Sequence, residues 1–273
     1  MQWTAEAEDA IKKAPFFVRK RMRARVEDEA QEAGKTKVSL ADVRLTQKRY
    51  LAKMSDEVKG YQLETCFGPG GCPNRAVDSD GLVERLEQIL KRADLRQFLR
   101  EHVKDGLKHH HEFRVTIADC PNACSQPQIK DMGIIGAVEP VITEEPCSFC
   151  QLCVDACAEN AVSLKDSEEM PVIDVDRCVR CGKCTEVCPT GTLSTRLRGY
   201  RVLLAGKLGR HPRLAEELPG LFKEDEVAYI LERCLGYYKK RSKHGERFAD
   251  IYQDAEFLGL PISHNCHEKK GAN

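Results

Sequence analysis

Residues 113–127 read FRVTIADCPNACSQP and combine a strand-like pattern with two cysteines. Across residues 113–117 apolar side chains alternate with polar ones, a pattern that predicts a β-strand delivering Cys120 at its end. The stretch supplies the second of two cysteine pairs, which have the spacing Cys66-x5-Cys72 and Cys120-x3-Cys124. This spacing predicts four thiolates gathered from two separate loops.

Eight further cysteines form a motif that occurs twice. The copies are Cys147-x2-Cys150-x2-Cys153-x3-Cys157 and, 31 residues later, Cys178-x2-Cys181-x2-Cys184-x3-Cys188. In such runs three closely spaced thiolates hold one iron–sulfur cubane, and the fourth cysteine points to the other cubane. The expected ligand sets are Cys147, Cys150, Cys153 with Cys188, and Cys178, Cys181, Cys184 with Cys157. Zinc is the alternative, but structural zinc sites rarely use this run.

The composition limits the class of protein. Lys plus Arg equals Asp plus Glu at 43 each, so no net charge would draw nucleic acid or an anionic membrane. No apolar run approaches the ~20 residues that span a bilayer, and the first residues lack a signal-peptide pattern. We therefore expect a cytoplasmic protein without membrane insertion. In that reducing compartment the 14 cysteines indicate metal rather than the alternative, a disulfide framework.

Other patterns divide the chain. Helical periodicity marks residues 18–30, 82–99 and 227–238, and strand patterns mark 133–141 and 201–205. Strands separated by helices, with a cofactor insert, favour the α+β class. The expected units are an N-terminal helical module at 1–50, a cluster-binding domain at 56–142 and 195–256, a dicluster ferredoxin insert at 143–194, and a polar tail at 257–273.

The segment around the second cysteine pair resembles the sulfite and nitrite reductase family. Residues 113–127 resemble its strand and cysteine loop, and residues 206–212 and 245–248 resemble its closing elements. The resemblance covers about 60–255, with a ferredoxin insert where the dissimilatory and anaerobic members carry theirs. It implies a sulfite reductase-like fold in which the last cysteine, Cys124, bridges a [4Fe-4S] cluster and the iron of sirohaem.

The N-terminus resembles a different family. Residues 3–7 (WTAEA) and 15–19 (PFFVR) resemble a short domain best known at the end of a light-independent protochlorophyllide reductase subunit. In that family the segment lies near a tetrapyrrole. The alternative interpretation is a helical packing or dimerisation module.

Two departures from the reductase family bear on the site. Asp119 stands where the family usually has a small residue, and its carboxylate would repel a reduced cluster unless it hydrogen-bonds elsewhere. The family also normally places a ferredoxin-like half-domain ahead of the first cysteine pair, where residues 1–50 stand here. We therefore expect a homodimer or a subunit of a complex, with residues 1–50 contributing to the contact.

Five further residues are candidates for a functional role because of their side-chain chemistry. Lys207, Arg210 and Arg114 are the candidate catalytic residues, because cations would pair with sirohaem carboxylates or with an anionic substrate. Ordinary surface charge is the alternative. Cys234 fits the apolar face of a helix, whereas Cys266 is either a metal or redox thiol or part of the polar tail.

These features together predict an iron–sulfur oxidoreductase of the sulfite/nitrite reductase-like group, with three [4Fe-4S] clusters and sirohaem. Electrons from a donor protein would pass through the dicluster insert to the cysteine-bridged centre and reduce a small oxyanion. Sulfite is favoured over nitrite because the insert resembles that of the sulfite enzymes. The alternative is a non-catalytic electron-transfer or tetrapyrrole-handling subunit of a larger complex.

Overall fold

The computed structural model describes residues 1–104, 106–164 and 169–256, with the backbone alone at 51–54. The polar tail expected at 257–273, and with it Cys266, lies outside the described residues. Within the described ranges no helix is both long and apolar enough to cross a bilayer.

The N-terminal unit consists of three helices and two short strands. Its elements are β1 (Gln2–Trp3), α1 (Ala5–Lys12), α2 (Phe16–Glu32), β2 (Lys37–Val38) and α3 (Leu40–Glu57). The Thr4 hydroxyl caps α1 by accepting a hydrogen bond from the Ala7 amide. Gly34, at φ +70°, follows the end of α2 in the left-handed conformation. Asp42 accepts hydrogen bonds from the Ser39 amide and hydroxyl and so caps α3.

A small core holds this unit together. Its buried members are Ala7, Ile11, Val26, Ala30, Val38 and Val43. Within the helical pattern predicted at 18–30, Val26 and Ala30 are buried, whereas Val18 and Met22 are only partly buried. Helix α3 continues beyond residue 50 and leads directly into the main sheet.

The rest of the chain is built on one mixed sheet. The remaining elements, in chain order, are β3 (Tyr61–Thr65), α4 (Asp80–Arg92), α5 (Leu95–His102), β4 (Phe113–Ala118), β5 (Met132–Ile142), α6 (Leu152–Asp155), β6 (Val162–Ser163), β7 (Val172–Ile173), α7 (Lys183–Val187), β8 (Leu193–Leu204), β9 (Glu216–Glu217), α8 (Glu224–Arg241) and α9 (Phe248–Ile251). The sheet order is β3-β4-β5-β8-β9. The first three strands are parallel, and β8 is antiparallel to its two neighbours. Loops that follow the parallel neighbours β3 and β4 therefore leave the same edge of the sheet.

Helices α4, α5 and α8 share one hydrophobic core with the strands. Its largest fully buried members include Leu82, Leu86, Leu99, Phe113 and Tyr238. Cys234 is also buried there, as its place on the apolar helix face predicted. The predicted helices at 82–99 and 227–238 and the predicted strands at 113–117 and 133–141 are confirmed, and so is the α+β class.

The cysteine-rich insert lies at the end of a long hairpin. Strands β5 and β8 pair from Met132 opposite Leu204 to Ile142 opposite Leu193, with one register shift between Glu139 and Pro140. The strand predicted at 201–205 is only the last part of β8, which begins at Leu193. The insert, with α6, β6, β7 and α7, connects the outer ends of the two strands and has its own small core.

Candidate metal centres

The first four-thiol group lies at the edge where β3 and β4 end. Cys66 directly follows β3, with its amide bonded to the Ile117 carbonyl at 2.9 Å, and Cys120 follows β4. Burial raises the pKa of the Cys120 thiol, and the nearby thiols of Cys66, Cys124 and Cys72 raise it further. The structure thus brings together the four thiols that the sequence grouped.

Hydrogen-bond donors point at these sulfur atoms. The Gly68 and Asp119 amides each donate to Cys66 Sγ at 3.3 Å, and the Asn122 side chain donates to Cys124 Sγ at 3.0 Å. Only glycine fits at position 68, because a Cβ there would lie 2.1 Å from the Asp119 carboxylate. Four thiols with N–H donors to sulfur are the donor set that an iron–sulfur cluster uses, so the residues fit this group.

The described thiols do not surround a single metal ion. Within the described ranges, no three His, Cys, Asp or Glu side chains converge as they would around one metal ion. A cubane binds its thiolates at separate iron atoms, so its ligands stand farther apart than the ligands of one tetrahedral ion.

Asp119, which departs from the reductase pattern, is buried and paired. Its side chain is 1% exposed, and its two oxygens accept hydrogen bonds from Arg75 Nε at 2.7 Å and from Ser79 Oγ at 2.6 Å. The carboxylate thus hydrogen-bonds to groups other than the cluster thiols, and it joins the loop after Cys72 to the loop that holds Cys120. Sequence reasoning missed Arg75. The sequence did contain a signal for this pair, because an acidic residue precedes the second cysteine pair and a basic residue follows the first.

The insert gathers its cysteines into two groups. Burial, together with the neighbouring thiols, raises the pKa of one central thiol in each group, to about 11 for Cys184. The thiols brought together are Cys147, Cys153 and Cys188 in one group and Cys157, Cys178, Cys181 and Cys184 in the other. Each group includes one thiol from the other copy of the motif, which is the crossed arrangement that the spacing predicted. The remaining thiol, Cys150, is exposed. Ligation by these residues stays a prediction.

A cavity of about 480 Å³ connects the first thiol group with one group of the insert. Its lining includes the cysteines of both: Cys66, Cys72, Cys120, Cys124, Cys157, Cys178, Cys181 and Cys184. The insert is docked at this point through the Val138 amide, which donates to the Arg180 carbonyl at 2.8 Å. The backbone approach is close, since a Cβ at Gly182 would lie 2.8 Å from Val138 Cβ. Sequence reasoning missed this contact, because nothing local in either segment indicates it.

The three candidate catalytic cations lie toward the other end of the sheet. Arg114 stands six residues before Cys120, which is about 20 Å along an extended strand. Lys207 forms an ion pair with Asp250, and Arg210 is exposed. Both follow β8. The last residues of β8 pair with the start of β5, which itself pairs with β4. The structure does not bring these cations to the four thiols, and their anion-binding role stays a prediction.

Arg114 belongs to a buried polar cluster around Asp131. The Asp131 carboxylate accepts hydrogen bonds from the Arg114 amide at 2.9 Å and from the Arg247 guanidinium at 3.2 Å. Burial raises the pKa of Asp131, although Arg247 opposes the shift. This cluster ties the closing segment near residue 247 to the sheet.

Comparison with known proteins decides the family. A family model described as the nitrite and sulphite reductase 4Fe-4S domain matches residues 61–257. The chain belongs to this family. A second model, for the proto-chlorophyllide reductase 57 kD subunit, matches residues 3–46. Both resemblances noted in the sequence are confirmed, and the chain is an iron–sulfur protein of the sulfite reductase-like group.

Three curated relatives illustrate the similarity. The coenzyme F420-dependent sulfite reductase of Methanocaldococcus jannaschii is 30% identical over 67% of this chain and 27% of its own length. The beta subunit of the dissimilatory-type sulfite reductase of Archaeoglobus fulgidus is 26% identical over 59% of this chain and 44% of its own length. A light-independent protochlorophyllide reductase subunit of Chlorobium limicola is 56% identical over 16% of this chain and 8% of its own length. The chain therefore spans less than half the length of each of these three relatives.

Proposed function

We propose that this protein passes electrons from a donor protein through its dicluster insert to a cysteine-bridged centre where a small oxyanion is reduced. Sulfite is the proposed substrate, supported by relatives that are named as sulfite reductases. Twelve cysteines in three groups would hold three [4Fe-4S] clusters, at four thiolates each. The subunit names among the relatives also support a place in a larger complex.

The cavity shared by two thiol groups is the observation that carries this proposal. It is lined both by the group around Cys120 and by the insert group around Cys184. This supports an electron path that begins at the remaining insert group, which includes the exposed Cys150, and ends at the Cys120 group. Phe149, 52% exposed beside Cys150, marks the surface at which a donor protein would dock.

Cys124 is the thiol best suited to be shared with a second cofactor. It is exposed, whereas Cys66, Cys72 and Cys120 are partly buried, and the Asn122 amide fixes its sulfur at 3.0 Å. Sirohaem, when bound through this thiolate, supplies the iron at which the oxyanion is reduced. An outward-facing thiolate held by a side-chain donor fits that role.

Two serine variants test the proposal. Cys124→Ser should abolish sulfite consumption with an artificial electron donor, because it removes the thiolate shared with sirohaem. Cys150→Ser should damage only the outermost group and retain part of that activity, since artificial donors bypass it. Equal loss in both variants, or unchanged activity in Cys124→Ser, would contradict the proposed order.

A second candidate is an electron-transfer or tetrapyrrole-handling subunit without turnover of its own. The match of residues 3–46 to a protochlorophyllide reductase subunit favours it. The discriminating measurement is sulfite consumption by protein that carries both clusters and sirohaem. Consumption supports the reductase, whereas a fully loaded but inactive protein supports the second candidate.

A further inference from the structure

One side of α2 presents two aromatic rings and two cations to solvent. Phe16 is 80% exposed and Phe17 is 72% exposed. Lys20 and Arg21 follow one helical turn later, so they share this side of the helix, and both are exposed. These four residues form the α2 face. The ion pairs described in the N-terminal unit use Lys12, Arg23, Lys35 and Arg49 instead.

The α2 face is not needed to hold the N-terminal unit together. The opposite side of the helix contributes Val26 and Ala30 to the small core. Glu29 fastens the helix to α3 by accepting a hydrogen bond from the Thr46 hydroxyl at 2.7 Å. Two adjacent exposed phenylalanines make a larger apolar patch than single surface residues do, and such patches mark interaction sites.

The charge around this face favours an acidic partner. Residues 10–26 contain seven Lys or Arg and no Asp or Glu. The described part of the ferredoxin insert, residues 143–164 and 169–194, has the opposite balance, with eight Asp or Glu against three Lys or Arg. It also exposes apolar side chains among its acids: Val175, between two aspartates, is 79% exposed, and Val172 is 45% exposed. The α2 face and the ferredoxin insert are therefore opposite in charge, and both expose apolar side chains.

We propose that the α2 face docks onto the ferredoxin insert of a second copy of this chain. The two phenylalanines bury against the exposed apolar side chains of the insert, while Lys20 and Arg21 pair with its carboxylates. A two-fold arrangement, in which each copy offers its α2 face to the insert of the other, closes as a dimer with two equal contacts. This docking goes beyond the proposed reductase function and does not depend on it, because both surfaces consist of the chain's own residues.

Charge reversal on the α2 face provides the first test. Light scattering on cluster-loaded protein at about 50 mM salt should show a dimer that dissociates as salt rises, because salt screens exposed charges. Lys20→Glu with Arg21→Glu should weaken the dimer at least tenfold. The matched control is Lys239→Glu with Lys240→Glu, an exposed basic pair on α8, which should leave it unchanged. A monomer at low salt, or equal weakening in both variants, overturns the proposal.

Crosslinking provides the second test and locates the contact. A photoreactive phenylalanine analogue at position 17 should crosslink between isotope-labelled and unlabelled copies. The crosslinked peptides should fall within residues 143–194. Crosslinks confined to one copy, crosslinks to other parts of the chain, or none at all would each overturn the proposal, whatever the outcome of the sulfite assays.

Discussion

Between the two cysteine loops, Asp119 accepts hydrogen bonds from Arg75 and Ser79 at 2.7 and 2.6 Å. The sequence predicts that this carboxylate needs a partner, but it does not identify one. Arg75 lies 44 residues away, outside any regular element, so no local periodicity connects the two. The thiol groups could be predicted because cysteine spacing alone defines them, whereas a paired side chain depends on how two loops meet.

Replacing Asp119 by Asn should loosen the link between these loops. The variant leaves Arg75 without its buried partner, although the exposed Asp78 and Asp80 remain within ion-pair distance. We expect a loss of about 1–3 kcal/mol in the free energy of unfolding, measured by urea titration without oxygen. The Asp119→Asn variant should also lose its iron sooner than the unchanged protein does. Asp225→Asn, which breaks the exposed pair with Arg85, is the control and should change neither. Equal behaviour of the two variants would contradict the role of Asp119.

His111 gives the fold a dependence on pH. Burial lowers the pKa of His111 to about 4, and the nearby His110 and Lys108 contribute to the shift. Its Nδ1 accepts a hydrogen bond from the Lys108 amide at 3.1 Å, which requires the unprotonated nitrogen. Between about 4 and 6.5 the unfolded chain binds a proton that the folded chain does not, so stability falls as pH drops through this window.

Unfolding by urea at several values between about pH 5 and 7 tests this dependence. His111→Gln should flatten the rise of stability with pH, because the titrating group is removed. His211→Gln, at an exposed position, should leave the slope as it is. Parallel slopes in the wild type and His111→Gln would show that another group is responsible.

Among the elements, strong periodicity separates those that could be predicted from those that could not. Helix α8 and strand β5 have long buried apolar patterns, and both stand where the sequence predicts them. Strand β3 has no such pattern, since its five residues are all partly or fully exposed at the sheet edge. The outer half of β8 is likewise exposed, because there the hairpin extends beyond the core toward the insert. Tertiary pairing, rather than local preference, forms these two segments.

The contact between α7 and β5 leads to a prediction at Gly182. Gly182→Ala adds a Cβ only 2.8 Å from Val138 Cβ, at a residue with φ +80°. Gly191→Ala is a matched control within the insert, with φ +76° and nothing within 4 Å of the added Cβ. Both should lose about 1 kcal/mol of stability from the left-handed backbone. Gly182→Ala should lose about 1–3 kcal/mol more from the steric conflict, as measured by urea unfolding. Equal losses would show that the insert does not depend on this close contact.

Across the whole molecule, the hairpin of β5 and β8 decides which thiol groups become neighbours. It carries the insert back over the edge where β3 and β4 end, so that cysteines more than a hundred residues apart in sequence, Cys66 and Cys184, line the same cavity. Cysteine spacing predicts the membership of each group but not their proximity. That proximity depends on strand length and on the docking at Val138, neither of which leaves a local pattern in the sequence.

We propose that this chain assembles three iron–sulfur clusters and a sirohaem on one electron path. The most direct test is the visible absorption spectrum of protein produced together with the sirohaem pathway and purified without oxygen, with iron counted on the same sample. We expect a haem absorption band and about twelve cluster irons per chain, from three cubanes. A sample without a haem band, with iron saturating near the roughly eight atoms of two cubanes, would contradict it.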